Sequence, residues 1–137
     1  MTVAATHTFF EDTKLNDLVT SPAMTLTEAH LSLYSGITGD VAVEPGAVAE
    51  LLPLCLSIGL GWRVPQPPLA VLAFMSMDYQ IVRPLRVGDT VYGTSRVVSR
   101  RTMREGGIVI EDHEIIDQRG EVAQRGRFTF LVARRPA

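Results

Sequence analysis

Sulfur chemistry is nearly absent from this chain. Cys55 is the only cysteine in 137 residues, so no disulfide can form within the chain and no cysteine-based metal spacing exists. It lies among Leu54, Leu56 and Ile58 and is expected to be an inert buried thiol. No metal and no cofactor is expected. Charge of one sign is missing too. The formal net charge is −2, which points away from nucleic acid and acidic membranes as partners. Nor is there a clean apolar span. Residues 45 to 62 are apolar, but Pro45, Glu50 and Pro53 interrupt them, and the uncharged part is too short to cross a bilayer. The opening MTVAATHTFFEDTK lacks the basic-then-apolar order of a signal peptide, so a cytoplasmic protein is expected. Internal repeats and low-complexity tracts are absent.

What remains suits one domain over residues 1–137. The hydrophobic fraction of 46% supplies a core, and the charged fraction of 20% is ordinary for a globular protein. Arginines gather in the C-terminal half, from Arg96 to Arg135. They read as a solvated strand face, or else as a landing area for an anionic ligand.

The pattern along the chain changes once. FFEDTKLNDLV reads as a turn leading to a brief strand near Ser21 to Leu26, and Thr25-Leu26-Thr27-Glu28 has capping-box spacing. Leu26, Leu31, Leu33, Tyr34 and Ile37 then recur at helical spacing up to Gly36 and Gly39. Pro45-Gly46 is expected to open a second helix. Apolar residues lie on every side of it from Ala47 to Leu60, so it should be buried all round and kinked at Pro53. Four strands follow, over 69–82, 90–101, 107–117 and 122–133, with hairpin connections at 104–107 and 118–121. One short helix, one long buried helix and four long strands make an α+β chain, a curved antiparallel sheet wrapped around the long helix. The exposed edge of such a sheet commonly pairs with a second copy.

Three segments, in order, resemble one family, the MaoC-like (R)-specific enoyl-CoA hydratases and 3-hydroxyacyl dehydratases. They are FFEDTKLNDLVTSPAMTLTEAHLSLYSGITGD, VRPLRVGDTVYG and DQRGEVAQRGRFTFLVARR. The resemblance covers nearly the whole chain and implies the hot-dog fold. It also implies an acyl thioester substrate, on CoA or a carrier protein, in fatty acid or polyketide metabolism. In the family the Gly-Asp continues to a histidine five positions on, and the two are the catalytic pair. Here Asp40 matches the acid, but the later position holds Pro45, and most of the segment that follows in the family is deleted. His7, His30 and His113 fit neither histidine position of the family. The shortened segment suggests a reshaped acyl pocket.

Hydrating an enoyl thioester needs a base for water, a proton for the α-carbon and donors for the enolate-like oxygen. Asp40 is the candidate acid/base, or else a helix C-terminal turn residue whose side chain satisfies backbone N–H groups. Glu50, the only charged residue between Glu44 and Arg63, is a candidate second carboxylate, or else complements the helix dipole or is simply exposed at a dimer seam. Gly46 and Ala47 are candidate backbone donors at a helix N-terminus. Arg83 is a candidate for a pantetheine or phosphate group, or for a salt bridge across a dimer. Asp78 could project towards the same cleft, with a sheet-edge role as the plainer reading. His30 is read as structural and His113, between Asp112 and Glu114, as part of a solvated face. A homodimer is one expectation, and a heterodimer with a dyad-bearing hot-dog subunit is another. A non-catalytic subunit, thioester hydrolysis, isomerisation and cyclisation stay open as alternative functions.

Overall fold

The computed structural model describes residues 6–137. The first residues of the opening segment discussed above for a signal peptide lie outside the described residues. A 3-10 turn, Phe10–Asp12, leads to β1 (Leu18–Thr20) and β2 (Met24–Thr25). Helices α1 (Glu28–Thr38) and α2 (Leu52–Gly61) follow. Then come β3 (Val71–Ile81), β4 (Thr90–Met103), β5 (Gly106–Ile116) and β6 (Val122–Val132). The sheet is six-stranded with the order β1-β4-β5-β6-β3, and β2 also pairs with β4. Every pair of named strands is antiparallel. The four long strands fall where the alternation placed them. Of the brief strand expected near Ser21 to Leu26 only Met24–Thr25 forms, and β1 lies just ahead of it.

The cap of α1 differs from expectation. Thr27, not Thr25, is the N-cap, and the residue that completes the box is His30. The His30 N–H donates to Thr27 Oγ1 at 3.4 Å, and the Thr27 N–H donates to His30 Nδ1 at 3.1 Å. Thr25 is paired with Thr90 in the β2–β4 ladder and so cannot cap the helix. Gly39 ends α1 at φ 74°, a left-handed conformation that glycine adopts without strain.

Helix α2 corrects three expectations. It starts at Leu52, not near Pro45, because residues 44 to 51 are held in turns against the β3–β4 connection. There the Val48 N–H donates to the Leu85 carbonyl at 3.0 Å, and the Val87 N–H donates to the Gly46 carbonyl at 2.9 Å. Pro53 therefore stands in the first turn, where its missing N–H costs nothing, and no kink follows. Burial is also one-sided. Leu52, Pro53, Leu54 and Leu60 are buried, but Cys55, Ile58 and Gly59 are exposed. The single thiol is exposed rather than buried.

Two apolar clusters hold the layers together. The first joins Leu26, Val48, Ala49 and Leu52 to Leu85, Val91, Ile115 and Ala123. The second joins Phe10 and Leu54 to Val97, Val109, Phe128, Phe130 and Val132. Phe10 lies flat on the backbone of β5, where a β-carbon on Gly107 would stand 2.1 Å from the ring. The Arg100 guanidinium lies over that ring, 4.5 Å from its centre, and donates to Thr13 Oγ1 at 2.7 Å.

The β5–β6 turn is organised by Asp117, which is 1% exposed. Its Oδ1 accepts from the N–H groups of Arg119 at 2.9 Å and Glu121 at 3.1 Å, and its Oδ2 accepts from the Arg119 guanidinium. Burial alone would raise this carboxyl. The Glu121 N–H, the Arg119 fork and the Arg119 N–H together outweigh burial and hold it below the usual carboxylate range. A lowered folded value means stability that is complete above the unfolded value of about 3.9 and lost as the pH falls through the folded value. Asp117→Asn is therefore expected to lower the Tm at neutral pH and to shrink the acid-induced fall in Tm relative to the parent. Thermal melts from pH 7 down to pH 2 would measure both.

Candidate functional site

Asp40 lies just past the C-terminal turn of α1 and is exposed. Its N–H donates to Thr38 Oγ1 at 3.0 Å, and its Oδ2 receives a long 3.5 Å contact from the Tyr34 hydroxyl. Partial burial and the nearby Asp40 charge push that hydroxyl above the usual tyrosine value. Around Asp40 the chain exposes Leu33, Ile37, Val41, Val43 and Leu51, with Ile37 at 85% and Val43 at 100%. This is a contiguous stretch of sequence with an unusual amount of apolar surface in water.

The other predicted residues spread out from there. Glu50 is exposed before α2, and its carbonyl, not its carboxylate, makes the contact that matters structurally. Gln124 Nε2 donates to that carbonyl at 2.7 Å, and the Tyr79 hydroxyl donates to Gln124 Oε1 at 2.6 Å. This relay ties β3 and β6 to the start of α2. Burial pushes the Tyr79 hydroxyl strongly up, with a smaller contribution from Cys55. Gly46 and Ala47 precede α2 rather than open it. The Ala47 N–H donates to the Glu44 carbonyl at 3.1 Å, whereas the Gly46 N–H has no partner among the described residues. Arg83 pairs through Nη1 with Glu121 of its own chain.

Neither of two cavities near the sheet is lined by Asp40 or Glu50. One, of about 520 Å³, is a charged groove on the outer face of the sheet. Arg96, Arg125 and Arg127 lie there with Asp78, Asp112 and Glu114, and Arg127 grips Asp112 with two bonds of 2.7 and 3.1 Å. That fork holds the Asp112 carboxyl below the usual range. The arginines read as a solvated strand face are thus matched by acids on this groove.

The other cavity, of about 540 Å³, opens between α2 and the sheet. Ser57, Ile58, Gly61 and Trp62 form its helix side. Val97, Phe74, Phe128 and Phe130 form much of its sheet side, together with Ser95, Glu111 and His113. His113 Nε2 lies 3.0 Å from Glu111 Oε1, and the imidazole stacks on Phe128 at 4.2 Å between ring centres. The His113 and Glu111 side chains are 24% and 12% exposed, so His113 is partly buried rather than fully solvated, although it also lines the charged groove. Its sequence neighbours Asp112 and Glu114 point to the opposite side of the strand. The signal that could have found the pair is the spacing of two, which puts residues 111 and 113 on one face.

No helix among the described residues is long and apolar enough to cross a membrane, and no cluster of three or more metal-ligating side chains occurs among them. A curved antiparallel sheet laid on α2 is the hot-dog arrangement, and solved structures match it over the full chain. The monoamine oxidase regulatory protein from Archaeoglobus fulgidus is 21% identical, with a TM-score of 0.85, covering 98% of this chain and 100% of that one. A MaoC-like dehydratase from Rhodospirillum rubrum is 20% identical, with a TM-score of 0.77, covering 94% and 99%. A conserved hypothetical protein from Mycobacterium tuberculosis with a double hot-dog fold is 20% identical, with a TM-score of 0.81, covering 98% of this chain and 46% of that one. The chain therefore has the hot-dog fold. No family model matches it, and neither does any curated protein.

Proposed function

We propose that this chain acts on acyl thioesters as a MaoC-like hydratase or dehydratase, with Asp40 as the acid/base of a site completed by a second subunit. The observation that carries this reading is the placement of Asp40. The acid stands at the negative end of α1, where a carboxylate opposes the helix dipole, inside an exposed apolar segment. A side chain kept for stability would not be placed there. A partner that covers Leu33, Ile37 and Val43 would enclose Asp40 in a low-dielectric site.

The chemistry balances with one carboxylate. Asp40 takes a proton from water as the water oxygen bonds the β-carbon of the enoyl thioester. The carboxylic acid so formed returns that proton to the α-carbon, and the Gly46 N–H is a donor for the thioester oxygen as negative charge develops on it. Dehydration is the reverse. The acyl chain would occupy the cavity beside α2, whose volume falls within the range of about 300–1,000 Å³ usual for ligand sites.

Strand β3 is the surface for the second subunit. It pairs only with β6, so one edge is free, and Val71, Leu72, Phe74, Met75, Met77 and Ile81 along it are all exposed. A homodimer across this edge is the simplest assembly. A heterodimer is the second reading, favoured by one observation: no imidazole hydrogen-bonds to Asp40 among the described residues. In that case the partner supplies the histidine.

The test is the purified chain with crotonyl-CoA and a longer enoyl-CoA, following loss of the conjugated double bond, with light scattering for its mass. A dimer that consumes either substrate supports the reading. A dimer that is inert alone and active only when co-purified with a histidine-bearing hot-dog subunit supports the heteromer. Release of free thiol in place of hydration makes the chain a thioesterase.

A further inference from the structure

Strand β5 presents Val109, Glu111, His113 and Ile115 to one face. Val109 belongs to the second apolar cluster and Ile115 to the first. The two polar residues stand between them, and both line the cavity beside α2 together with Val97, Phe128 and Phe130 of the second cluster. Stability does not explain this. A partly buried carboxylate–imidazole hydrogen bond seldom outperforms apolar side chains of similar volume, and apolar residues at 111 and 113 would join the two clusters into one. Local breaks of this kind mark functional positions more often than structural ones.

The pair is also arranged in one sense. Glu111 faces Nε2, which places the N–H of the neutral imidazole on that nitrogen. Phe128 fixes the ring plane by stacking. Nδ1 has no partner among the described residues, so it is left as a hydrogen-bond acceptor on a residue that lines both the cavity beside α2 and the charged groove. Ser57 and Ser95 line the same space. Ser57 comes close to the sheet because β4 has Gly93 beneath it, where a β-carbon would stand 2.8 Å from Ser57 Oγ.

We propose that Glu111 and His113 form a ligand-reading site that selects acyl groups bearing a hydroxyl on the chain, away from the thioester. The hydroxyl donates to His113 Nδ1 while the methylenes pack on Phe74, Phe130 and Ile58. Glu111 is a positioning residue that holds the tautomer. The inference rests on the acyl-thioester reading above. Because Asp40 does not line this cavity, the hydroxyl recognised here is not the one made or removed at Asp40. An unsubstituted chain leaves the imidazole nitrogen buried without a partner, which is what makes the site selective.

The experiment is calorimetric titration of the full chain with acyl-CoAs of one chain length: the unsubstituted parent and isomers with the hydroxyl moved along the chain. At least one isomer is expected to bind roughly tenfold tighter than the parent, the size of one well-made buried hydrogen bond. His113→Phe is expected to erase that preference, so that parent and isomers bind alike. Glu111→Gln is expected to reduce it, since an amide can face either nitrogen of the imidazole. If the native chain binds parent and isomers equally, the inference is overturned and the acyl-thioester reading stands. That comparison needs no variant, so a misfolded substitution cannot obscure it. If the native chain binds no acyl-CoA at all, both fall.

Discussion

Asp40→Asn is expected to lower enoyl-thioester turnover by about 10²–10⁴-fold, the usual contribution of general acid–base help. It should leave the fold untouched. Asp40 is exposed, its carboxylate receives one long 3.5 Å contact, and its backbone N–H bond to Thr38 does not depend on the side chain. Removing its charge from the C-terminal end of α1 relieves an unfavourable interaction with the helix dipole, so stability should stay within about 0.5 kcal/mol of the parent. Few substitutions separate catalysis from folding this cleanly. Steady-state rates and thermal melts on the same preparation give the answer. Unchanged turnover in an active parent enzyme would reduce Asp40 to a turn residue.

Phe128→Ala is expected to cost about 3–5 kcal/mol of stability, the range for deleting a large buried ring. Phe128 is 2% exposed and central to an aromatic group. Its ring centre lies 4.2 Å from His113, 5.6 Å from Phe74, 6.1 Å from Tyr79 and 6.3 Å from Phe130. Collapse cannot easily refill the space. Tyr79 is held by its bond to Gln124, and Gly126 beside it has no room to shift, since even a β-carbon there would stand 2.5 Å from the Tyr79 ring. Urea unfolding, with the midpoint compared at unchanged slope, measures the loss. A cost below 1 kcal/mol would mean that the aromatic group is loosely packed.

The sheet was legible in the sequence because alternation of period two is a strong local signal. β3 to β6 and both hairpin connections lie within two or three residues of their predicted places. The short helix was legible from Gly39 and its apolar spacing. The start of α2 was not. Pro45-Gly46 and Pro53 each satisfy the rule for a helix opening, and only the tertiary bonds of Val48 and Val87 to the β3–β4 connection decide between them. Cys55 misled for a related reason. An apolar run says that a helix is apolar all round, but not that neighbours cover every side within one chain. The Asp40 segment was found by its resemblance to a family motif, whereas the Glu111–His113 pair was missed by weighing adjacent charges instead of alternate ones.

Phe10 and its neighbours join distant parts of the chain. The Phe10 N–H donates to the Ala133 carbonyl at 2.9 Å, the Thr8 N–H to Pro68, and Arg135 pairs with Asp12 across 123 positions. Loops of that length close slowly and late. The early segment thus cannot complete its contacts until β6 has been made. During synthesis on the ribosome, α2 and β3 wait with their apolar faces unmatched, and this interval is when a chaperone, or the second subunit proposed above, would matter most.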